Sequence, residues 1–132
     1  MSLKILFSTF LISIVFSFTF IEQTAAQTTA EQPVTSTKIL QATSTWNGGE
    51  IEYPLTESAE ITVLHIEFAT GSETVWHRHP VPSLAYILSG ELEVTIKNGE
   101  TKIFRKGDAF AEVINTWHYG KNIGKEPVRL VV

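Results

Sequence analysis

The sequence predicts an all-β domain, a small sandwich or barrel, from two observations. Short runs of strand-like residues are separated by turn residues throughout the body of the chain. No segment after residue 26 has the apolar period of an amphipathic helix. The clearest element is "ELEVTIKNGETKIF", in which Leu92, Val94 and Ile96 alternate with polar residues. Asn98 and Gly99 then predict a tight hairpin turn with positive φ angles.

Four further strand-like runs surround this hairpin. In "EITVLHIEF", Leu64, Ile66 and Phe68 share one face, which leaves His65 on the more polar face as a surface or rim residue. Turn residues separate the runs, including "NGG", "KGD" and "NT". The runs, in chain order, are "KILQATSTW" at 38–46, "EITVLHIEF" at 60–68, "AFAEV" at 109–113 and "PVRLVV" at 127–132.

The N-terminus has the order of a secretory signal. Lys4 precedes an apolar run from Ile5 to Ile21, and "TAA" provides small residues for cleavage after Ala26. The alternative is an uncleaved membrane anchor, but the small-residue site favours cleavage. We therefore expect a signal peptide at 1–26, a flexible leader at 27–36 and a folded domain at 37–132. The mature protein would be secreted or periplasmic, with no membrane contact after cleavage.

Composition narrows the classes of function. The 132 residues suit one small domain and include no cysteine, so thiolate catalysis and cysteine-ligated zinc are excluded. The net charge is −4 and no cluster of Lys and Arg occurs, so the sequence predicts no nucleic-acid partner. Any metal ion must be held by His, Asp or Glu.

Two of the four histidines lie one residue apart in "TVWHRHPVP". In an extended chain, His77 and His79 share a face and can both reach one metal ion. Pro80 and Pro82 cannot donate to a β-ladder, so pairing should end there, as at the mouth of a barrel. The alternative is a pair of exposed surface histidines, because an isolated H-x-H motif is weakly specific.

Two wider motifs extend through the body of the chain. One comprises Gly71, His77, His79 and Gly90; a second comprises Gly99, Gly107, His118 and Asn122. Together they resemble the cupin family over roughly residues 60–130, with Arg105 where the second motif usually has proline. The resemblance implies a small antiparallel barrel of two packed sheets, a jelly roll, with a metal ion inside its wider mouth.

The resemblance implies one divalent metal ion (iron, manganese, zinc or nickel) held by His77, His79 and His118. The glutamate of the family's first motif falls on Ser83, whose hydroxyl is a poor ligand. Three imidazoles can hold a metal without it. Glu112, in "DAFAEVINTWH", is a candidate fourth ligand, because a related subgroup of small cupins carries a similar run; the alternative is an ordinary rim carboxylate.

The resemblance implies a metal-dependent enzyme that acts on a small molecule as an oxygenase, isomerase or lyase. Of these, a dioxygenase-like reaction is favoured. Glu112 and Tyr86 are the candidates for acid–base catalysis, although Tyr86 in "SLAYILSG" is also typical of core packing. The alternative is a non-catalytic module that binds a metal or small ligand. Asn122 could contact substrate or cap a turn. An edge strand at "KILQATST" could pair two copies into a homodimer.

Overall fold

The computed structural model describes residues 34–132, in which the regular structure consists of seven β-strands. The short strands and the glycines between them suit a chain that reverses direction often. The strands are β1 His65–Phe68, β2 Leu84–Ser89, β3 Glu91–Ile96, β4 Thr101–Arg105, β5 Ala109–Ala111, β6 His118–Asn122 and β7 Val128–Val131.

The strands form two antiparallel sheets. One sheet has four strands in the order β1-β7-β2-β5, and the other has three in the order β4-β3-β6. All ladders are antiparallel, so the prediction of an all-β double-sheet barrel is confirmed. Because β2 and β3 follow one another but belong to different sheets, the chain crosses between sheets at Gly90.

The core lies between the two sheets, where alternate residues of each strand point inward. In β3, Leu92, Val94 and Ile96 are buried, as the alternation predicts. The rings of Phe104 and Phe110, one from each sheet, stack with centroids 3.6 Å apart. Burial of each such side chain stabilises the fold by about 1.5–3 kcal/mol. The buried core cluster is Phe68, Ala85, Ile87, Leu92, Val94, Phe104, Phe110, Val128 and Leu130.

The β3–β4 hairpin is confirmed, but its turn differs from the prediction. Gly99 has a φ of 91°, whereas Asn98 does not have a positive φ. The Gly99 N–H donates to the Ile96 carbonyl at 2.9 Å, and the Asn98 side chain accepts from the Glu100 N–H at 2.9 Å. Asn98 therefore stabilises the turn through its side chain, and only glycine takes the left-handed conformation.

The predicted strand at 38–46 is wrong. This segment has one isolated bridge, Ser44 with Glu50, and is attached to the barrel by the Trp46 N–H, which donates to the Ala111 carbonyl at 3.0 Å. Strand propensity was not sufficient, because no continuous ladder forms beside the segment. An edge strand at "KILQATST" is therefore absent, and the homodimer stays a prediction without that support.

The predicted strand at 60–68 is regular only over its last four residues. The register pairs His65 with Val131, the last residue of β7, so the preceding residues have little strand beside them. Leu64 still exchanges two backbone hydrogen bonds with Val132, but the side chains of Val63 and Leu64 are exposed. Ile66 and Phe68 do turn toward the interior, and His65 is exposed, as the alternation predicted.

Asn122 is buried at the end of β6 and organises the loop that follows. Its Nδ2 lies 3.2, 3.1 and 2.9 Å from the carbonyl oxygens of Phe68, Ala69 and Glu126, and its Oδ1 accepts from the Gly124 N–H at 2.9 Å. These contacts join the end of β1 to the β6–β7 connection. They confirm the turn-capping interpretation of Asn122.

Residues Thr35–Val132 form one compact unit. The predicted signal peptide at 1–26 and most of the predicted leader at 27–36 lie outside the described residues. Within the described part of the chain, no helix is long and apolar enough to cross a membrane.

Candidate metal centre

Two distant segments meet where β6 begins. The His77 N–H donates to the His118 carbonyl and the His118 N–H donates to the His77 carbonyl, both at 2.9 Å. This single bridge replaces the strand that was expected around His77 and His79. The ring centroid of His118 lies 4.4 Å from that of His77 and 5.1 Å from that of His79. The three imidazole rings therefore lie near one another, and the metal binding expected of them stays a prediction.

Glu112 joins this cluster from the end of β5. Its N–H donates to the Ser83 carbonyl, and the Asn115 N–H donates to the His79 carbonyl, each at 2.9 Å. These two bonds align the loop after β5 with the segment that carries His79. The Glu112 Oε2 consequently lies 3.0 Å from the His79 Nε2.

The ligand atoms of His79, Glu112 and His118 all lie within 4.8 Å of one another, a separation suited to coordination of one ion. His77 contributes the ring beside His118, but it does not belong to this group of three. The structure therefore brings Glu112, not His77, into the tightest cluster of potential ligands among residues 34–132.

Backbone carbonyls orient all three imidazoles. The Nδ1 atoms of His77, His79 and His118 lie 2.9, 3.2 and 2.8 Å from carbonyl oxygens. A carbonyl can only accept, so each Nδ1 carries the proton and each Nε2 presents a lone pair. This is the usual support for a metal-bound histidine. The carbonyls belong to Val75, Val81 and Thr116. The sequence could not predict these contacts, because every residue has a backbone carbonyl.

One atom of the cluster is left without a hydrogen bond. The His79 Nε2 is buried 3.0 Å from the Glu112 Oε2; with its proton on Nδ1 this nitrogen has nothing to donate, and only a further proton on Nε2 would bond it to the carboxylate. Buried polar atoms are nearly always satisfied. A lone-pair nitrogen that faces a carboxylate oxygen is stabilised by a cation between them, either a proton or a metal ion. The imidazole and carboxylate donors present therefore fit a divalent metal ion.

The surroundings shift two of the histidine pKa values in opposite directions. The adjacent Glu112 carboxylate raises the pKa of His79, because it stabilises the imidazolium. Burial lowers the pKa of His118, whose residue is 4% exposed, because the charged form loses hydration. In the absence of a metal, a proton on His79 would therefore compensate the Glu112 charge while His118 stays neutral.

The other candidate residues lie outside this cluster. Tyr86 is half-buried on the face of β2 opposite to the buried Ala85 and Ile87, so its alternation directs it away from the barrel interior. Its role as an acid–base residue has no support from this position. Ser83, which replaces the family glutamate, contacts Glu112 through its backbone carbonyl.

Comparison with known proteins agrees with this architecture. Residues 64–132, just over half of the chain, match the family described as "Cupin domain". This chain belongs to the cupin family. The match includes β1–β7 and every residue of the candidate metal centre.

Relatives of this cupin share only part of their length with it. The chain is 34% identical over 65 residues to the "Pectin degradation protein KdgF" of Dickeya dadantii, covering 48% of this chain and 58% of that protein. It is 30% identical over 90 residues to "Germin-like protein subfamily 2 member 2" of Arabidopsis thaliana, covering 64% of this chain and 41% of that protein.

A solved structure shows the same fold. The Schizosaccharomyces pombe Cnp3 cupin domain is 28% identical, with a TM-score of 0.50, and the match covers 62% of this cupin and 60% of that chain. The chain thus spans less than two thirds of each of these three proteins.

Proposed function

We propose that this cupin binds one divalent metal ion through His79, His118 and Glu112, with His77 as a further ligand, and is a metal-dependent enzyme acting on a small molecule. The observation that carries the proposal is the convergence of three potential ligand atoms within 4.8 Å of one another. The orientation of the three imidazoles through Nδ1 supports it, because the Nε2 atoms are left available.

The composition of the cluster favours an oxygenase-type reaction within this class. The two imidazoles and one carboxylate of the tight group form the donor set typical of non-haem iron(II) oxygenases, which leave coordination positions open for substrate, and His77 would add a third imidazole. A bound ion at such a site supplies Lewis acidity to a coordinated substrate oxygen or activates water. The carboxylate also makes manganese a suitable occupant.

The chain's own residues supply the preorganisation. Carbonyls of Val75, Val81 and Thr116 orient the rings, and the backbone bonds to Ser83 and His79 position the loop that carries Glu112. Glu112 lies 3.0 Å from the His79 Nε2, so both side chains can bind the same ion. We further propose that the protein acts outside the cytoplasm, on the basis of the N-terminal sequence pattern.

Elemental analysis of the purified protein tests the proposed site. We expect about one metal ion per chain in the wild type and strongly reduced metal in the His79→Ala, His118→Ala and Glu112→Ala variants. His65→Ala is the matched control, because His65 is the remaining histidine and is exposed in β1. Equal metal content in all these proteins would contradict the proposal.

Oxygen uptake distinguishes an enzyme from a binding module. The iron, manganese and zinc forms are incubated with small oxygenated substrates, and oxygen consumption and products are measured. We expect turnover that depends on the metal and is lost in Glu112→Ala. Metal binding without turnover of any substrate would assign this cupin to the non-catalytic class.

A further inference from the structure

A groove of about 420 Å³ opens beside the three-stranded sheet, lined by Trp76, Lys97 and Trp117. Trp76 and Trp117 immediately precede His77 and His118 in the chain. Because alternate residues of extended chain point to opposite sides, the two tryptophans face outward where the histidines face the barrel interior. The groove is therefore separate from the candidate metal centre.

Backbone pairing and ring packing hold the groove in place. The bridge between His77 and His118 brings the segment of Trp76 beside β6, where its ring meets Tyr119 edge to face with centroids 4.7 Å apart. On the other side, the Lys97 N–H donates to the Trp117 carbonyl at 2.9 Å. The positions of all three lining residues thus follow from the ladder around β6.

The two tryptophans are unusually exposed for their size. Trp76 is 47% exposed and Trp117 is 42% exposed, whereas Trp46, the third tryptophan, packs partly buried against the core. Single exposed apolar residues are common, but two large rings lining one concave surface are typical of a binding site. Tryptophan suits such a surface because it offers a wide stacking face with few rotatable bonds.

The charge of the groove defines the chemistry of its ligand. Lys97 lines it, and the Arg78 guanidinium carbon lies 5.4 Å from the centroid of the Trp117 ring. Neither cation forms an ion pair with another residue of the 34–132 segment. In a protein with a net charge of −4, two cationic side chains therefore lie beside two tryptophan rings.

We propose that Trp76, Trp117 and Lys97 form a second binding site, for a small ring-shaped carboxylate. The ring would stack against indole, and the carboxylate would pair with the Lys97 ammonium. The volume lies within the range of about 300–1,000 Å³ that small-ligand sites occupy. Two sources share this chemistry, an aromatic acid and a sugar acid. The proposal is independent of the metal centre and goes beyond the proposed function.

NMR of the three indole N–H groups tests this site, with each signal assigned through a Trp→Phe variant. Chelator-treated protein is titrated with benzoate and with glucuronate, up to about 10 mM because weak binding is sufficient. Benzamide and glucose are the uncharged counterparts. We expect saturable shifts of the Trp76 and Trp117 signals with at least one acid, while the Trp46 signal stays in place.

Lysine variants test the contribution of charge to binding. Lys97→Gln should weaken binding of the acid at least fivefold, whereas Lys106→Gln, which changes an exposed lysine outside the groove, should leave it unchanged. Whichever acid binds identifies the source. The proposal is overturned if neither acid shifts the two signals, if the uncharged counterparts bind equally well, or if Lys97→Gln binds as the wild type does. The spectra of the variants also report whether they are folded.

Discussion

Glu112 is the carboxylate that lies among the candidate metal-binding histidines. Its carboxylate is 3.0 Å from the His79 Nε2 and belongs to the tight group with His118. We expect Glu112→Gln, which keeps the shape but removes the charge, to lower metal affinity at least about 10-fold. Competition with a chromophoric chelator measures this. Glu100→Gln, in the exposed β3–β4 turn, is the control and should bind as the wild type does. Unchanged affinity in Glu112→Gln would make Glu112 a rim residue.

His118 should make the stability of the metal-free protein depend on pH. Burial lowers its pKa in the folded state, so the unfolded chain takes up a proton near pH 6.5 while the folded chain does not. The stability due to neutral His118 is therefore present above about pH 6.5 and is lost as pH falls toward the folded-state pKa. Urea unfolding of the wild type and of His118→Gln is measured between about pH 8 and pH 5. As pH falls, the wild type should lose more unfolding free energy than the variant does. A difference that is constant or moves the other way would contradict this.

At the scale of elements, Gly90 lets the chain pass from β2 in one sheet to β3 in the other. Its φ is 80°, and an added Cβ would lie 2.8 Å from the Val128 Cγ2 and 2.9 Å from the Pro127 carbonyl oxygen. Gly99 has a similar φ of 91°, but an added Cβ there would meet no atom within 4 Å. A substitution at Gly99 would therefore introduce backbone strain alone, whereas one at Gly90 would add a steric clash.

Alanine substitutions should show this difference. Gly99→Ala should cost about 1–2 kcal/mol of unfolding free energy, the penalty of the left-handed conformation. Gly90→Ala should cost about 1–3 kcal/mol more, because backbone and a buried valine would have to move. Urea midpoints at an unchanged slope measure both effects. Equal losses in the two variants would mean that the contact of Gly90 with β7 is not important.

For the molecule as a whole, metal binding should be linked to folding stability. The candidate ligands come from two segments, 77–79 and 112–118, that lie more than thirty residues apart in the chain, so the unfolded chain lacks the site. At a free metal concentration 100 times Kd, we expect stabilisation of about 2.7 kcal/mol. In a domain of about 100 residues, this raises Tm by roughly 10–20 °C. Differential scanning calorimetry with and without chelator measures the shift.

The combined variant His79→Ala/His118→Ala should give the same Tm in metal and in chelator. The His65→Ala variant should keep the full response, because that side chain is exposed in β1. A metal-dependent rise in the double variant would place the ion elsewhere in the protein.

The sequence alone predicted the β3–β4 hairpin and the inward face of β3. It also selected three histidines whose rings lie near one another, although their binding of a metal ion stays a prediction. Local sequence was sufficient for the hairpin and for β3, because the alternation of apolar and polar residues predicts which side of a strand is buried and a glycine predicts a turn. It failed at 38–46, where strand propensity met no ladder, and at Asn98, where a side-chain hydrogen bond replaced a left-handed backbone. It also could not choose between a ligand and a rim role for Glu112.

By itself, the sequence determined the donor types available to this cupin: with no cysteine, a metal centre must consist of imidazoles and carboxylates. Only the tertiary structure decided which of them meet. Backbone hydrogen bonds position Glu112 beside His79, and a backbone carbonyl accepts from the His79 Nδ1. Every residue has a carbonyl group, so the sequence does not show which carbonyls make these bonds. The same holds for the tryptophan groove, whose walls come from segments some twenty to forty residues apart, joined by the ladder around β6.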